Sequence, residues 1–108
     1  MIICVTLNPS LDYVLQINKN ENQETQRASS SKLFTGGKGV NITKVLTRIG
    51  LPSVNWGVAG GPNGEKLLNI LTSDGIKSDF QQIEDETRMN VIITELSSFD
   101  QLRISAQG

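Results

Sequence analysis

Residues 36–59 read GGKGVNITKVLTRIGLPSVNWGVA. A glycine-rich turn opens a helix, the helix is stopped, and a strand follows. Ile42, Val45, Leu46 and Ile49 recur at i, i+3, i+4 and i+7, the spacing of one apolar helix face, while Asn41, Lys44 and Arg48 fall on another side. Gly50 suits a left-handed cap, and Pro52 blocks continuation of the helix. VNWGVA, residues 54–59, then predicts a buried strand. Upstream, IICVTL (2–7) is a near-continuous apolar run, the pattern of a strand covered on both faces in a parallel sheet, closed by the turn Asn8-Pro9-Ser10. Downstream, Gly60 to Gly64 is expected to be a loop. A second helix is predicted over 65–74 with Leu67, Leu68 and Leu71 inward and Gly75 as its cap, then a short strand at 80–83. This β-α-β-α alternation argues for a parallel sheet with helices over it.

The flanks do not belong to that alternation. DYVLQI (12–17) alternates as a strand, with Tyr13, Leu15 and Ile17 on one face and Asp12, Val14 and Gln16 on the other. RMNVIITEL (88–96) is a strong strand, Ser97 to Asp100 a turn, and 102–106 an antiparallel return. Asn18 to Ser31 is polar and fits a long loop or a solvated hairpin. These pieces predict a separate antiparallel layer. No internal repeat and no Pro/Gly/Ser linker divides the chain.

At 108 residues, with 37% hydrophobic and 5% aromatic residues, there is material for one modest aliphatic core. The absence of histidine excludes His-based triads, His-ligated metals and imidazole acid–base chemistry. The single Cys4 lies in an apolar run, reads as a small buried hydrophobe and fits a reducing cytoplasm. A net charge of −1 leaves no overall basic footprint for nucleic acid, although residues 1–54 carry six Lys/Arg against three Asp/Glu. No apolar run reaches the roughly 20 residues of a membrane span, and MIICVTLNPSLD has no basic region typical of a signal peptide.

Three groups of residues carry candidate chemistry. In Thr35-Gly-Gly-Lys-Gly-Val-Asn41, glycines admit close backbone approach, the helix start offers N–H donors, and Lys38 adds a mobile charge. An ordinary helix-leading loop explains it equally well. It is not a P-loop, because Gly39 follows Lys38 and position 32 is Lys. The glycines at 36, 37 and 39 are also misspaced for a dinucleotide fingerprint, with no strand clearly before them. Asp12 lies just past the carboxyl end of the first strand, where ligands sit in open α/β sheets, and a carboxylate there can accept two sugar hydroxyls. Its ordinary alternative is a turn aspartate bonding its own backbone. Arg88-Met-Asn90 begins a strand whose hairpin partner carries Arg103. Two guanidinium forks brought together there would clamp a phosphate; two solvated arginines beside the acidic loop Glu84-Asp85-Glu86 are the alternative. No metal-ligand spacing is found in that acidic run.

TLNPSLD near the start, GGKGVN opening a helix that ends in RIG, and ETRMNV on a strand together resemble the ribokinase-like (PfkB-type) carbohydrate kinases. The opening and the lysine in GGKGVN are similar to the branch containing 1-phosphofructokinase and tagatose-6-phosphate kinase. The resemblance runs from Met1 to Gly108 and corresponds to the amino-terminal third of such kinases. It implies an α/β fold, a ribokinase-like parallel-sheet core, here partial, with a small antiparallel β lid from strands near 12–17, 25–34, 88–96 and 102–106. The chain, 1–108, is accordingly expected to be an amino-terminal fragment of one kinase domain. The nucleotide-binding part and the Gly-Ala-Gly-Asp general-base aspartate are expected beyond Gly108.

The resemblance implies an ATP- and Mg²⁺-dependent phosphotransferase acting on a ketohexose phosphate, with fructose 1-phosphate as the expected acceptor and fructose 1,6-bisphosphate as product. Tagatose 6-phosphate is the alternative acceptor, and a non-catalytic phosphosugar-binding or dimerisation module the alternative for this chain alone. It implies roles too. Asp12 and Asn41 would bond sugar hydroxyls, and Gly36 and Gly37 would let the sugar lie against the backbone. Lys38, Arg88 and Arg103 would hold the existing phosphate, with Asn90 in the same pocket. It further implies a cytoplasmic homodimer paired through the lids, binding neither nucleic acid nor membrane, with no protein metal ligands in this part.

Overall fold

The computed structural model describes residues 1–17, 28–95 and 101–105. The polar stretch 18–27, the turn at 97–100 and residues 96 and 106–108 lie outside the described residues, as does the 25–27 portion of the expected lid. Two sheets organise the chain. β1 (Ile2–Thr6), β4 (Ser53–Ala59) and β5 (Ser78–Gln82) form a parallel sheet in the order β1-β4-β5. β2 (Ser10–Ile17), β3 (Ala28–Gly36), β6 (Arg88–Glu95) and β7 (Gln101–Ser105) form the second in the order β3-β2-β6-β7.

The helices α1 (Lys38–Arg48) and α2 (Gly61–Ser73) lie over the same face of the parallel sheet. Leu11, Val40, Ala59, Leu67, Leu71 and Ile76 make the core between them, with Leu68 and Phe80 packed at its margin. Gly50 (φ 80°) and Gly75 (φ 73°) end the helices in the left-handed region, as their positions predict.

Several sequence expectations change. Among the described residues the first strand is not covered on both faces: it is a sheet edge, with Cys4 and Thr6 buried beneath α1 but Ile3 and Val5 exposed. Trp56, opposite Val5 in register, is exposed beside them because no described element covers that face. The Ile42/Val45/Ile49 stripe is not the buried face of α1 either; these side chains are 54%, 56% and 64% exposed. The helix instead sits on β1 through Gly39, Val40 and Thr43. A Cβ at position 39 would collide with the Thr6 side chain and the Val5 carbonyl, so the close approach needs glycine there.

The segment from Gly60 is not a loop before α2. The helix begins at Gly61 with Pro62 in its first turn, where a missing N–H costs nothing. A strand, β3, does run directly into the glycine turn, contrary to the sequence reading. The lid sheet is also mixed. Its outer pairs β2/β3 and β6/β7 are antiparallel, but the central pair β2/β6 is parallel, both strands leaving the core in one direction.

Candidate acceptor site at the base of the lid

Three residues, Leu7 to Pro9, separate the carboxyl end of β1 from the start of β2. This places Ser10 opposite Gly36 on one side and Arg88 on the other, with Asp12 between Phe34 and Asn90. Alternation puts Ser10, Asp12, Arg88, Asn90 and Gly36 on one face of the lid sheet. Asp12 Oδ1 accepts hydrogen bonds from Ser10 Oγ (2.9 Å) and Asn90 Nδ2 (3.0 Å). Its other oxygen points at the space in front of Gly36. A Cβ built there would stand 2.7 Å from Asp12 Oδ2 and 2.5 Å from Ser10 Oγ. The glycine therefore keeps open the approach to an acceptor oxygen that has no protein donor among the described residues.

Gly37 caps α1 at φ 120°, ψ 145°, a conformation side chains disfavour, and its Cβ would meet Thr6 Cγ2 at 2.8 Å. Asn41 closes the first turn through N–H to Gly37 O (2.9 Å); its side chain is exposed, as is Lys38. Arg88 donates from Nη2 to Asn8 O (3.2 Å), across the mouth between the two sheets. Arg88 Nε and Asn90 Oδ1 are buried without partners. One orphan donor and one orphan acceptor beside an open carboxylate are groups that a polyhydroxylated, anionic ligand would satisfy.

The hairpin does not bring Arg103 beside Arg88. Arg103 pairs with Ile92, four residues further along β6, so the two guanidinium groups start about 13 Å apart along the strand. A register of four residues, unreadable from composition, separates them.

Two contributions were missed by the sequence reading. Ser10 orients Asp12, and nothing in the sequence marks a serine two residues earlier as its partner. The acidic loop is not merely solvated either: Glu86 Oε1 accepts from Asn63 N (2.7 Å) in the first turn of α2, where a carboxylate complements the helix dipole. Thr87 joins the same latch, its Oγ1 accepting from Gly60 N (3.0 Å) and its N–H donating to Gly60 O (2.9 Å). The latch fixes the residue immediately before Arg88. Among the described residues no group of three or more His, Cys, Asp or Glu side chains could hold a metal ion. No described helix is long and apolar enough to cross a membrane.

An α/β core carrying a β lid, with a carboxylate, glycines and an arginine gathered where the two meet, defines the ribokinase-like fold. Residues 5–107 match the pfkB family carbohydrate kinase profile, and the chain belongs to that family. It is 40% identical over 91 residues to 1-phosphofructokinase of Borreliella burgdorferi, covering 84% of this chain and 30% of that protein. It is 33% identical over 108 residues to 1-phosphofructokinase of Bacillus subtilis, covering 100% of this chain and 35% of that protein. Escherichia coli phosphofructokinase-2 in complex with fructose-6-phosphate superposes with a TM-score of 0.89 at 26% identity, over 99% of this chain and 35% of that one. The tetrameric inhibited form of the same enzyme gives 0.87 over the same shares. The chain thus spans about a third of the length of these relatives.

Proposed function

We propose that this chain is the amino-terminal, acceptor-binding part of one kinase domain that moves the γ-phosphoryl of ATP to a hydroxyl of a ketohexose phosphate. The acceptor is fructose 1-phosphate and the product fructose 1,6-bisphosphate. The observation that carries this is the Asp12 carboxylate, with one oxygen held by Ser10 and Asn90 and the other open over Gly36, beside Arg88. In this reading Asp12 and Asn41 accept and orient sugar hydroxyls, Gly36 and Gly37 let the ring approach the backbone, Arg88 and Lys38 take the phosphate end, and Asn90 holds Asp12 in the same pocket. Arg103 adds only distant charge. Such transfer depends on positioning and electrostatics, and the lid sheet excludes water around the acceptor. The general base, nucleotide and Mg²⁺ are held by protein beyond this chain.

The relatives named 1-phosphofructokinase support the choice of fructose 1-phosphate. The neighbour solved with fructose-6-phosphate makes that sugar the specific competitor, and tagatose 6-phosphate is a third. The same reading carries a cytoplasmic homodimer through the lids. Leu102 and Ile104 are exposed on the lid face opposite Asp12, in register with Ile93 and Val91.

The test is ADP release by the intact protein with ATP·Mg²⁺ and each sugar phosphate in turn. Turnover on fructose 1-phosphate well above the other two is expected. Preference for another sugar replaces the substrate, and phosphosugar binding without turnover on any of them supports the non-catalytic module.

A further inference from the structure

A second polar concavity runs along β3 and shares no lining residue with the acceptor site. It is a groove of about 360 Å³ between β3 and the later turns of α1 and α2, lined by Lys32, Thr35, Lys44, Arg48 and Asp74 over an apolar floor that includes Ile76. Three cations face one carboxylate, an excess of two positive charges. Part of this has a local explanation. Arg48 sits in the last turn of α1, where a cation complements the helix dipole. Lys44 Nζ donates to the Thr35 carbonyl and so ties α1 to the lid strand.

The rest does not. The ammonium of Lys44 has two further N–H donors with no partner among the described residues. Thr35 is 3% exposed, and its hydroxyl has no hydrogen-bond partner. Lys32 stands over the Phe34 ring, 5.3 Å from its centroid, which leaves its charge on the rim. Burial lowers the pKa of Lys44, against the pull of Asp74 and then Asp12, with Arg48 adding to the lowering. The groove therefore holds partly desolvated positive charge that the protein does not neutralise.

We propose that this groove binds a small dianion, a phosphate or phosphate ester, held by Lys32 on the lid and by Lys44 and Arg48 on α1. Because β3 is part of the lid and α1 part of the core, an anion spanning them ties lid to core. The site is thus suited to an effector rather than to the sugar being phosphorylated. Free phosphate and the phosphate end of a larger metabolite share this chemistry.

The test is calorimetric titration of the intact protein with inorganic phosphate and, separately, with glycerol phosphate. Lys32→Ala combined with Arg48→Ala should weaken one class of phosphate site about tenfold or more, as expected for losing charge-assisted bonds. Arg88→Ala should leave that class intact. Asp74→Asn, which removes the carboxylate lining the groove, should tighten it severalfold, and this variant decides the matter if the double variant fails to fold. Equal tightening of phosphate and glycerol phosphate identifies the phosphate group itself as the ligand. Wild-type phosphate affinity in the double variant, or no tightening in Asp74→Asn, overturns the site. Loss of all phosphate binding in Arg88→Ala alone overturns it as well. Failure of the kinase reading would appear separately, as absent turnover with this phosphate class still present.

Discussion

Asp12 commits one carboxylate oxygen to Ser10 and Asn90 and leaves the other facing Gly36. That asymmetry makes Gly36 the most sensitive backbone position in the site. Gly36→Ala places a methyl group where the acceptor approaches and should lower kcat/KM by about tenfold or more, since small misplacements of a reacting group are costly. An unchanged kcat/KM would mean that the substrate does not pass this glycine. Arg88 and Arg103 make a matched pair of tests. Arg88→Ala should raise KM for the sugar phosphate by the equivalent of about 1.5–3 kcal/mol, roughly ten- to a hundredfold. Arg103, exposed and about 13 Å along the strand, lies beyond the screening length at physiological salt, so Arg103→Ala should change KM less than about twofold. Steady-state kinetics on the two variants separates these outcomes, and an equal effect of both would restore the two-arginine clamp. Asp12, the glycines and Arg88 were legible as residue types in a motif. Ser10 and the distance to Arg103 were not, because both depend on strand register.

The decisive element is α1, whose start carries Gly37 and Asn41, two residues of the proposed site. Its apolar repeat is real, yet the helix rests on β1 through Gly39 and Thr43, with the more obvious stripe exposed. Periodicity finds a stripe but does not say which side a neighbour approaches. A glycine that permits backbone contact can outweigh isoleucines that have nothing to pack against. Gly39→Ala should therefore lift α1 from the strand and destabilise the intact protein by about 1–3 kcal/mol, the usual cost of overpacking. Thermal denaturation reads this directly, and an unchanged midpoint would show that α1 is not seated on Thr6. The loop before β6 teaches a related lesson. Three consecutive acidic residues read as solvent-facing, but Glu86 accepts from the first turn of α2 and Thr87 binds Gly60 on both its N–H and its hydroxyl. These bonds cross more than 20 residues of chain, and no local pattern announces them.

Across the whole molecule, the two sheets divide the labour. The parallel sheet anchors the carboxyl end of β1, and the mixed sheet carries Asp12 and Arg88 out over it. The lid has a polar face bearing Asp12 and Asn90 and an apolar face bearing Val91, Ile93, Leu102 and Ile104. An exposed apolar sheet face of this kind favours burial against a second copy. Ile104→Glu should convert the proposed dimer to monomer in sedimentation equilibrium. A variant that sediments like the wild type would place any dimer contact elsewhere.

The sequence by itself determined the β-α-β-α order, the helix ends at Gly50 and Gly75 and the lid strands β2, β6 and β7. These follow from local periodicity, backbone preference and motif. Only the tertiary structure decided that both helices share one face of the sheet, that β2 and β6 run parallel and that Arg103 stands apart from Arg88. It also decided that Ser10 and Asn90 share one oxygen of Asp12. The physical reason is the same in each case: strand register and the choice of buried face are settled by contacts between segments distant in sequence, and a one-residue slip would turn Asp12 to the other side of the sheet.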